Sequence, residues 1–404
     1  MTSKRMNSII QEDSEYLFQN YGRLPVCFAR GEGSFLFDVD GKRYIDFLSG
    51  IAVTNLGYAN KKFMKRLQQQ IGTIIHSSNW FYNREQIEAA RFLNELTFPG
   101  KTLFVNSGTE ANEAAIKLVR RYGLSLEKNR FKIISFIDSF HGRTFGSMSA
   151  TAQNKIQNGF GPLVPGFIHL PFNDITSFKR ELRRDRRICA IFIELIQGEA
   201  GIKPANKDFI NELFSLCQRN SIITVVDEIQ TGMGRTGKPF AYQHYGIMPD
   251  IITLAKGLAG GIPIGALHAK SYLAEHFVKG SHGSTFGGNH LACAAATLML
   301  KELADARLLK QVNSLSSFFF DRLHELHEKT PIIRDIRGMG LHIGVEIDRP
   351  GLDIVKKALN MGLVINCTSE KVLRIMPPLN TPLAVAKEGM KIFSDIVLNE
   401  GNSG

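Results

Sequence analysis

Cysteine is scarce and scattered in this chain: Cys27, Cys189, Cys217, Cys293 and Cys367 are odd in number and form no CxxC pair. That argues against a disulfide framework and against a zinc site, and it suits a reducing cytoplasm. Long apolar runs are also missing. The N-terminus passes from Met1-Thr2-Ser3-Lys4-Arg5 into the polar stretch Gln11 to Glu15 without a hydrophobic signal core, and no segment approaches the ~20 apolar residues of a membrane span. The loop Asn106 to Glu110, after the first apolar run, is neither GxGxxG nor a Walker loop, so it does not propose a dinucleotide or a nucleoside triphosphate. No repeat or low-complexity linker divides the 404 residues, a length that suggests about two or three folding units. The expectation is a soluble, untargeted protein without a membrane segment.

Acidic residues are outnumbered, giving a net charge of +11, and much of the excess sits between Lys179 and Arg187. Such a run could attract nucleic acid, but no aromatic residue interleaves with it as single-strand binding prefers. A solvated connecting helix with internal acid–base pairs is the simpler reading, and a basic surface also suits small anionic substrates.

What is present is a series of short β-branched runs. Leu103 to Val105, Ile133 to Phe136, Ile188 to Ile193, Ile222 to Val226 and Ile251 to Leu254 predict strands separated by helices, hence a mainly parallel sheet covered on both faces. Residues 1 to about 30 read as polar and irregular, and Gly33 to Phe47 as a hairpin with an Asp40-Gly41 turn. Beyond about residue 300 an amphipathic helix (Leu308 to Lys329), short strands near 340–347 and 363–365, and a last helix to about Leu398 predict a smaller α+β unit.

Polar residues follow the apolar runs, at the strand ends where open α/β sheets hold ligands. Ser107-Gly108-Thr109-Glu110 opens a helix with the spacing of a capping box, and its amides and dipole suit a phosphate. Phe140 could stack on a flat ring and Arg143 could hold a carboxylate, in Ser139-Phe140-His141-Gly142-Arg143-Thr144. Glu194, Gln197 and Glu199 follow a third run, Asp227 a fourth and Lys256 a fifth. An amine near an acid and a phosphate site suggests pyridoxal 5′-phosphate: Lys256 as the covalent partner with its pKa lowered by an apolar site, Asp227 holding the pyridine nitrogen protonated. A cap or a surface charge is the plainer account of each residue taken singly.

Here the blocks Phe104 to Ala114, Phe140 to Thr144, Asp227 to Gly232, Lys256-Gly257 and Ser284 to Asn289 together resemble the class III (ornithine-type) aminotransferases, in order and over about residues 20–395. Ser49 to Val53, Ser78-Asn79 and Leu373 to Asn380 are most similar to the branch acting on N-acetylornithine. The resemblance implies the fold type I architecture of pyridoxal enzymes: a large α/β domain with a mainly parallel seven-stranded sheet, residues 57–303, and a smaller α+β domain, residues 304–404, packing with an N-terminal segment, residues 1–56. It further implies that Ser107, Gly108 and Thr109 hold the phosphate, Phe140 stacks on the ring and Gln230 bonds the ring hydroxyl. It implies a homodimer in which Thr285 reaches the neighbouring subunit's cofactor, and substrate contacts from Arg143, Glu199, Arg374, Asn79 and Ser284.

The implied reaction moves the terminal amine of N-acetylornithine to 2-oxoglutarate, a step of arginine biosynthesis. Arg374 and Arg143 would hold the keto acid, while Glu199 would occupy Arg374 whenever the donor is bound. N-succinylornithine, succinyl-diaminopimelate, ornithine and γ-aminobutyrate are alternative donors. Tyr58-Ala59-Asn60-Lys61 and His290 depart from the family pattern, and Ile51 stands where ornithine enzymes usually carry a tyrosine. A pyridoxal enzyme of another reaction type, for which Arg143, Glu199 and Arg374 would be superfluous, and a nucleic-acid-binding protein are the rival classes.

Overall fold

The computed structural model describes residues 3–402; residues 1, 2, 403 and 404, the outermost parts of the two terminal segments, lie outside it. Its centre is a seven-stranded sheet in the order Gly100–Val105, Gly265–Lys270, Ile251–Leu254, Ile223–Asp227, Ile188–Ile193, Lys132–Phe136, Phe167–Leu170. Six strands run parallel, and Gly265–Lys270 runs antiparallel to both its neighbours. Every residue of Ile188–Ile193, Ile223–Asp227 and Ile251–Leu254 is buried, because helices cover both faces and leave no side of the strand for water.

Five of these strands follow the β-branched runs, and two do not. Gly265–Lys270 (Gly-Ala-Leu-His-Ala-Lys) contains no β-branched residue, yet it is paired on both edges and its His268 is satisfied by Thr102 and by the Phe98 carbonyl. Tertiary pairing overrides a weak strand propensity here. The N-terminal stretch needs a correction of the opposite kind. Lys4–Tyr16 is a helix, started by Ser3 accepting from the Met6 amide, although only Met6 of its side chains is buried. Its apolar residues are too few for the periodic signal to show.

The helix Gly108–Leu126 packs Ala111, Ala114, Ala115, Leu118 and Val119 against the sheet. Small residues let its backbone come close, so its first turn lies at the carboxyl edge of the strands. The 179–187 run is largely the end of the helix Ile175–Arg184, with Lys179 paired to Glu212, Arg184 to Glu181, and Asp185 shared by Arg187 and Lys132.

The C-terminal quarter has its own core between the helices Ala306–His327 and Leu383–Asn402 and the antiparallel sheet Ile333–Met339, His342–Ile347, Val372–Ile375, Asn366–Thr368. Ile45 and Phe47 from the N-terminal hairpin enter that core, and Leu363–Val364 pairs in parallel with Arg43–Asp46. Arg235 ties this unit to the large sheet. It is fully buried and donates to the carbonyls of Leu341 and Pro377 and to Ser49 and Asn55 side chains. Among the described residues no helix is long and apolar enough to cross a membrane.

Candidate active site

Five loops leave the carboxyl edge of the large sheet and meet around a cavity of about 390 Å³. Ser107, Gly108, Thr109, Phe140, Arg143, Glu199, Asp227, Gln230 and Lys256 all line it.

Asp227 ends its strand and is held from two sides. Its Oδ2 accepts from Asn112 at 2.8 Å and lies 2.9 Å from His141 Nδ1, while Oδ1 accepts the Ile229 amide at 3.0 Å. Burial opposes a charge on His141, but the bond to Asp227 and that carboxylate's charge raise its pKa above the ordinary histidine range. Glu194 stands behind this pair, accepting the amides of Phe140 and Gly198, and burial pushes its pKa up to about 7. Asn112, His141 and Glu194 were assigned no role on this site by the motifs; His141 and Glu194 line the cavity themselves, whereas Asn112 reaches it through Asp227.

Lys256 follows Ile251–Leu254 at the start of a single 3₁₀ turn, with φ of 38°, a left-handed conformation that a non-glycine residue holds only under constraint. It is half-buried on the cavity wall, and desolvation first, with the Arg374 charge, lowers its pKa against the opposing pull of Glu199 and Asp227. More of the amine is therefore available as an uncharged nucleophile.

Ser107 caps the helix Gly108–Leu126 by accepting from the Glu110 amide at 3.2 Å. The expected reciprocal bond is shifted by one residue: the Glu110 carboxylate takes the Asn106 amide at 2.6 Å, not that of Ser107. The amides of Gly108 and Thr109 stand in the first turn, outside the helix's own ladder. Thr109 is bonded in turn to Thr144 and Ser147. A Cβ on Gly142 would lie 2.2 Å from Thr109 Oγ1, so the two loops close on each other only because residue 142 is glycine.

These groups fit pyridoxal 5′-phosphate. The helix start with its hydroxyls suits a phosphate, Phe140 and Ile229 offer flat and apolar walls, Asp227 an acid, and Lys256 an amine, all on one cavity.

Arg374 reaches the same place from the smaller sheet. It is buried and donates to Glu199 Oε1 at 2.6 Å and to Asn366 at 3.0 Å. Burial opposes the Glu199 charge, but Arg374, Lys256 and Gln230 together hold its pKa below the usual glutamate value. Arg143 differs: it is exposed, with its guanidinium 5.7 Å from the centre of the Phe140 ring. One arginine is thus occupied and one free.

Asn79, Ser284 and Thr285 are not brought to Lys256 within one chain. They line a separate cavity of about 1000 Å³, where Asn79 donates to the carbonyls of Ser284 and Gly287, and Thr285 is exposed. The two departures have partners of their own. Tyr58 donates to the buried Asp46 at 2.8 Å, and His290, at the start of a helix, lies 2.9 Å from Ser77 Oγ. His342, which no motif marked, lies 2.9 Å from Gln230.

Comparison with known proteins gives the same outline. A family model described as aminotransferase class-III matches residues 16–397. The acetylornithine aminotransferase of Aquifex aeolicus (strain VF5) is 48% identical over 90% of this chain and 95% of its own. An ornithine aminotransferase structure from Toxoplasma gondii ME49 superposes with a TM-score of 0.95 at 31% identity, covering 100% of this chain and 97% of that one. An acetylornithine aminotransferase structure from Elizabethkingia anophelis gives 0.88 at 32%, covering 98% and 100%.

Proposed function

We propose, for a chain that belongs to the class III aminotransferases, the transfer of the terminal amino group of N-acetylornithine to 2-oxoglutarate, leaving N-acetylglutamate semialdehyde and glutamate. The family depends on pyridoxal 5′-phosphate, and the chain is a transaminase. The cofactor, when bound, supplies an electron sink for the pair left on the substrate carbon as its proton departs.

The chain's residues supply the rest. Ser107, Gly108 and Thr109 would hold the phosphate, and Asp227, kept in place by Asn112 and His141, would hold a proton at the ring nitrogen. Lys256 Nζ, its charge disfavoured by burial, would take the proton from the substrate carbon that bears the amine and deliver it to the cofactor carbon on the other side of the shared nitrogen, and would run the same transfer in reverse for the keto acid.

The observation that carries the substrate reading is the 2.6 Å Glu199–Arg374 bond. A donor reacting through its terminal amine brings no carboxylate near the reacting carbon, so Arg374 must be neutralised by the protein in that half of the cycle. The free Arg143 would take the donor's distant carboxylate. 2-Oxoglutarate brings two carboxylates, displaces Glu199 and uses both arginines. Thr285, exposed and remote from its own chain's Lys256, would contact the cofactor phosphate of a second copy in a homodimer, with Asn79 and Ser284 beside it. This working pair of chains would lie in the cytoplasm.

The test is kcat/KM for N-acetylornithine, N-succinylornithine, ornithine and γ-aminobutyrate, each against 2-oxoglutarate. N-Acetylornithine should lead by about tenfold or more, the scale on which a pocket distinguishes substrates that differ by one small group. Lys256→Ala should lose turnover and the cofactor's near-visible absorption. Plain ornithine as the better donor would overturn the substrate assignment, and a Lys256→Ala protein that keeps turnover would overturn the mechanism.

A further inference from the structure

We propose that His342 is a positioning residue of this site: by donating Nε2–H to Gln230 Oε1 it fixes which end of the Gln230 amide faces Glu199 and the cofactor. The proposal rests on the transaminase reading above.

The placement follows from the smaller sheet. His342 begins the strand His342–Ile347, in which Gly344 stands opposite Arg374 of the neighbouring strand. Residues two apart share a face, so His342 and Arg374 leave the same face of the sheet toward the large domain. Arg374 meets Glu199 there, and His342 meets Gln230 at 2.9 Å. The two elements carrying the acceptors, the Glu199 loop and the Asp227–Gln230 turn, belong to the large domain.

The direction of the bond can be argued from what each alternative would bury. His342 is fully buried, and its Nδ1 has no hydrogen-bond partner. If the proton sat on Nδ1, a buried N–H would be orphaned and the Gln230 amide would have to turn its NH₂ toward the imidazole. With the proton on Nε2, only a lone pair is left unmet, and the Gln230 NH₂ points away from His342. Glu199 requires that second arrangement, since its carboxylate is stabilised by the Gln230 side chain and can only accept. The imidazole stays neutral: burial first, then the charges of Arg235, Arg374 and Lys256, lower its pKa well below the usual histidine value.

A second contact falls on the same oxygen. A Cβ on Gly198 would stand 2.0 Å from Gln230 Oε1, so bare backbone packs against the end of the amide that His342 also meets. Gln230 is left with one orientation, presenting N–H donors to whatever lies in the cavity. In the role proposed for it, that makes Gln230 a donor to an anionic ring oxygen and not an acceptor from a neutral hydroxyl. Because His342 and Arg374 share one sheet, the amide brace and the gate arginine are also referred to the same rigid element.

The test uses the holoenzyme and its visible absorption. An N–H facing an anionic oxygen favours the deprotonated form, so His342→Leu should raise the pH midpoint of the cofactor's visible band by about half a unit or more. It should also weaken cofactor affinity by about three- to tenfold, the scale of one hydrogen bond. His342→Gln, which can place an N–H near the same point, should return both toward wild type. Gln230→Leu should reproduce the shift, and the His342→Leu/Gln230→Leu pair should add nothing to it. A folded His342→Leu protein with wild-type midpoint and affinity would overturn the inference, as would a His342→Gln protein shifted as far as the leucine variant. Should the leucine variant not fold, His342→Met, also without a donor, takes its place under the same criteria. Wild-type protein that acquires no visible band with pyridoxal phosphate would sink the transaminase reading itself, a failure distinct from either outcome above.

Discussion

Glu199 sits between two cations, bonded to Arg374 and close enough to Lys256 to oppose the lowering of that amine's pKa by burial. Its side chain is one-third exposed while that of Arg374 is nearly closed off, so the carboxylate is the member of the pair that can leave. Glu199→Gln keeps the volume and removes the charge, which frees Arg374 in both halves of the cycle. kcat/KM for the terminal-amine donor should fall by about tenfold or more, because a buried arginine then stands uncompensated beside it. 2-Oxoglutarate, no longer competing with the carboxylate, should raise the thermal midpoint of the variant more than that of the wild type. Equal midpoint shifts, together with unchanged donor kinetics, would mean that Glu199 is not a gate. The charge pattern that suggests this pair is visible in the chain only as two residues 175 positions apart, one after a strand and one within a strand. Distance of that kind is why the residues alone showed types and not partnerships, and why this pairing came only from the family resemblance. His342 is the plainest case: a histidine opening a short strand carries no signal until Gln230, 112 residues away, is seen beside it.

At the scale of elements, the sequence was legible wherever burial on both faces makes a strand a continuous apolar run. The ends of Ile223–Asp227 and Ile251–Leu254 could be placed on one edge for that reason. Gly265–Lys270 and the helix Lys4–Tyr16 were not legible, because the first owes its form to two neighbours and the second to a single cap. The join between the helix Gly108–Leu126 and the 139–147 loop lies between these extremes. Gly142 was present in a recognised motif, but its function is steric: φ is 139°, and a Cβ would meet Thr109 Oγ1 at 2.2 Å and Ser147 Oγ at 2.4 Å. Neither hydroxyl belongs to a long flexible side chain that could swing aside. Gly142→Ala should therefore cost about 1–3 kcal/mol of stability, as overpacking does. It should weaken pyridoxal phosphate binding as well, since Thr109 must move from the helix start. Gly22→Ala, where nothing lies within 4 Å and φ is not positive, is the control, and both quantities should stay at wild type there. Urea unfolding of the apoprotein and fluorescence titration of the cofactor separate the two effects. A Gly142→Ala protein matching the control in both would show that the loop has slack the contacts do not suggest.

At the scale of the whole molecule, one chain keeps two clusters apart. Lys256, Asp227 and the Gly108 helix start line one cavity, and Asn79, Ser284 and Thr285 line another. The surface around the second cluster carries large exposed apolar groups, Trp80, Phe81, Tyr82 and Phe286 among them, at 93, 68, 100 and 61% exposure. Contiguous exposure of that kind marks an interaction surface. A two-fold dimer would bury it and carry each Thr285 to the other chain's cavity, making every site a product of both chains. Complementation tests this directly. Lys256→Ala removes the amine and leaves Thr285 intact, whereas Thr285→Asp sets a negative charge against a phosphate and leaves Lys256 intact. Each variant alone should be nearly inactive. In a mixed dimer, however, the Lys256 of the Thr285→Asp chain faces the intact Thr285 of the other, and one site of the two is whole. Random reassortment after mild denaturation should thus restore roughly a quarter of wild-type activity, because half the dimers are mixed and each has one working site. Mixing without reassortment should restore none. If Thr285 instead served its own chain's cavity, no mixed dimer would hold a complete site, and the reassorted sample would stay as inactive as its parents.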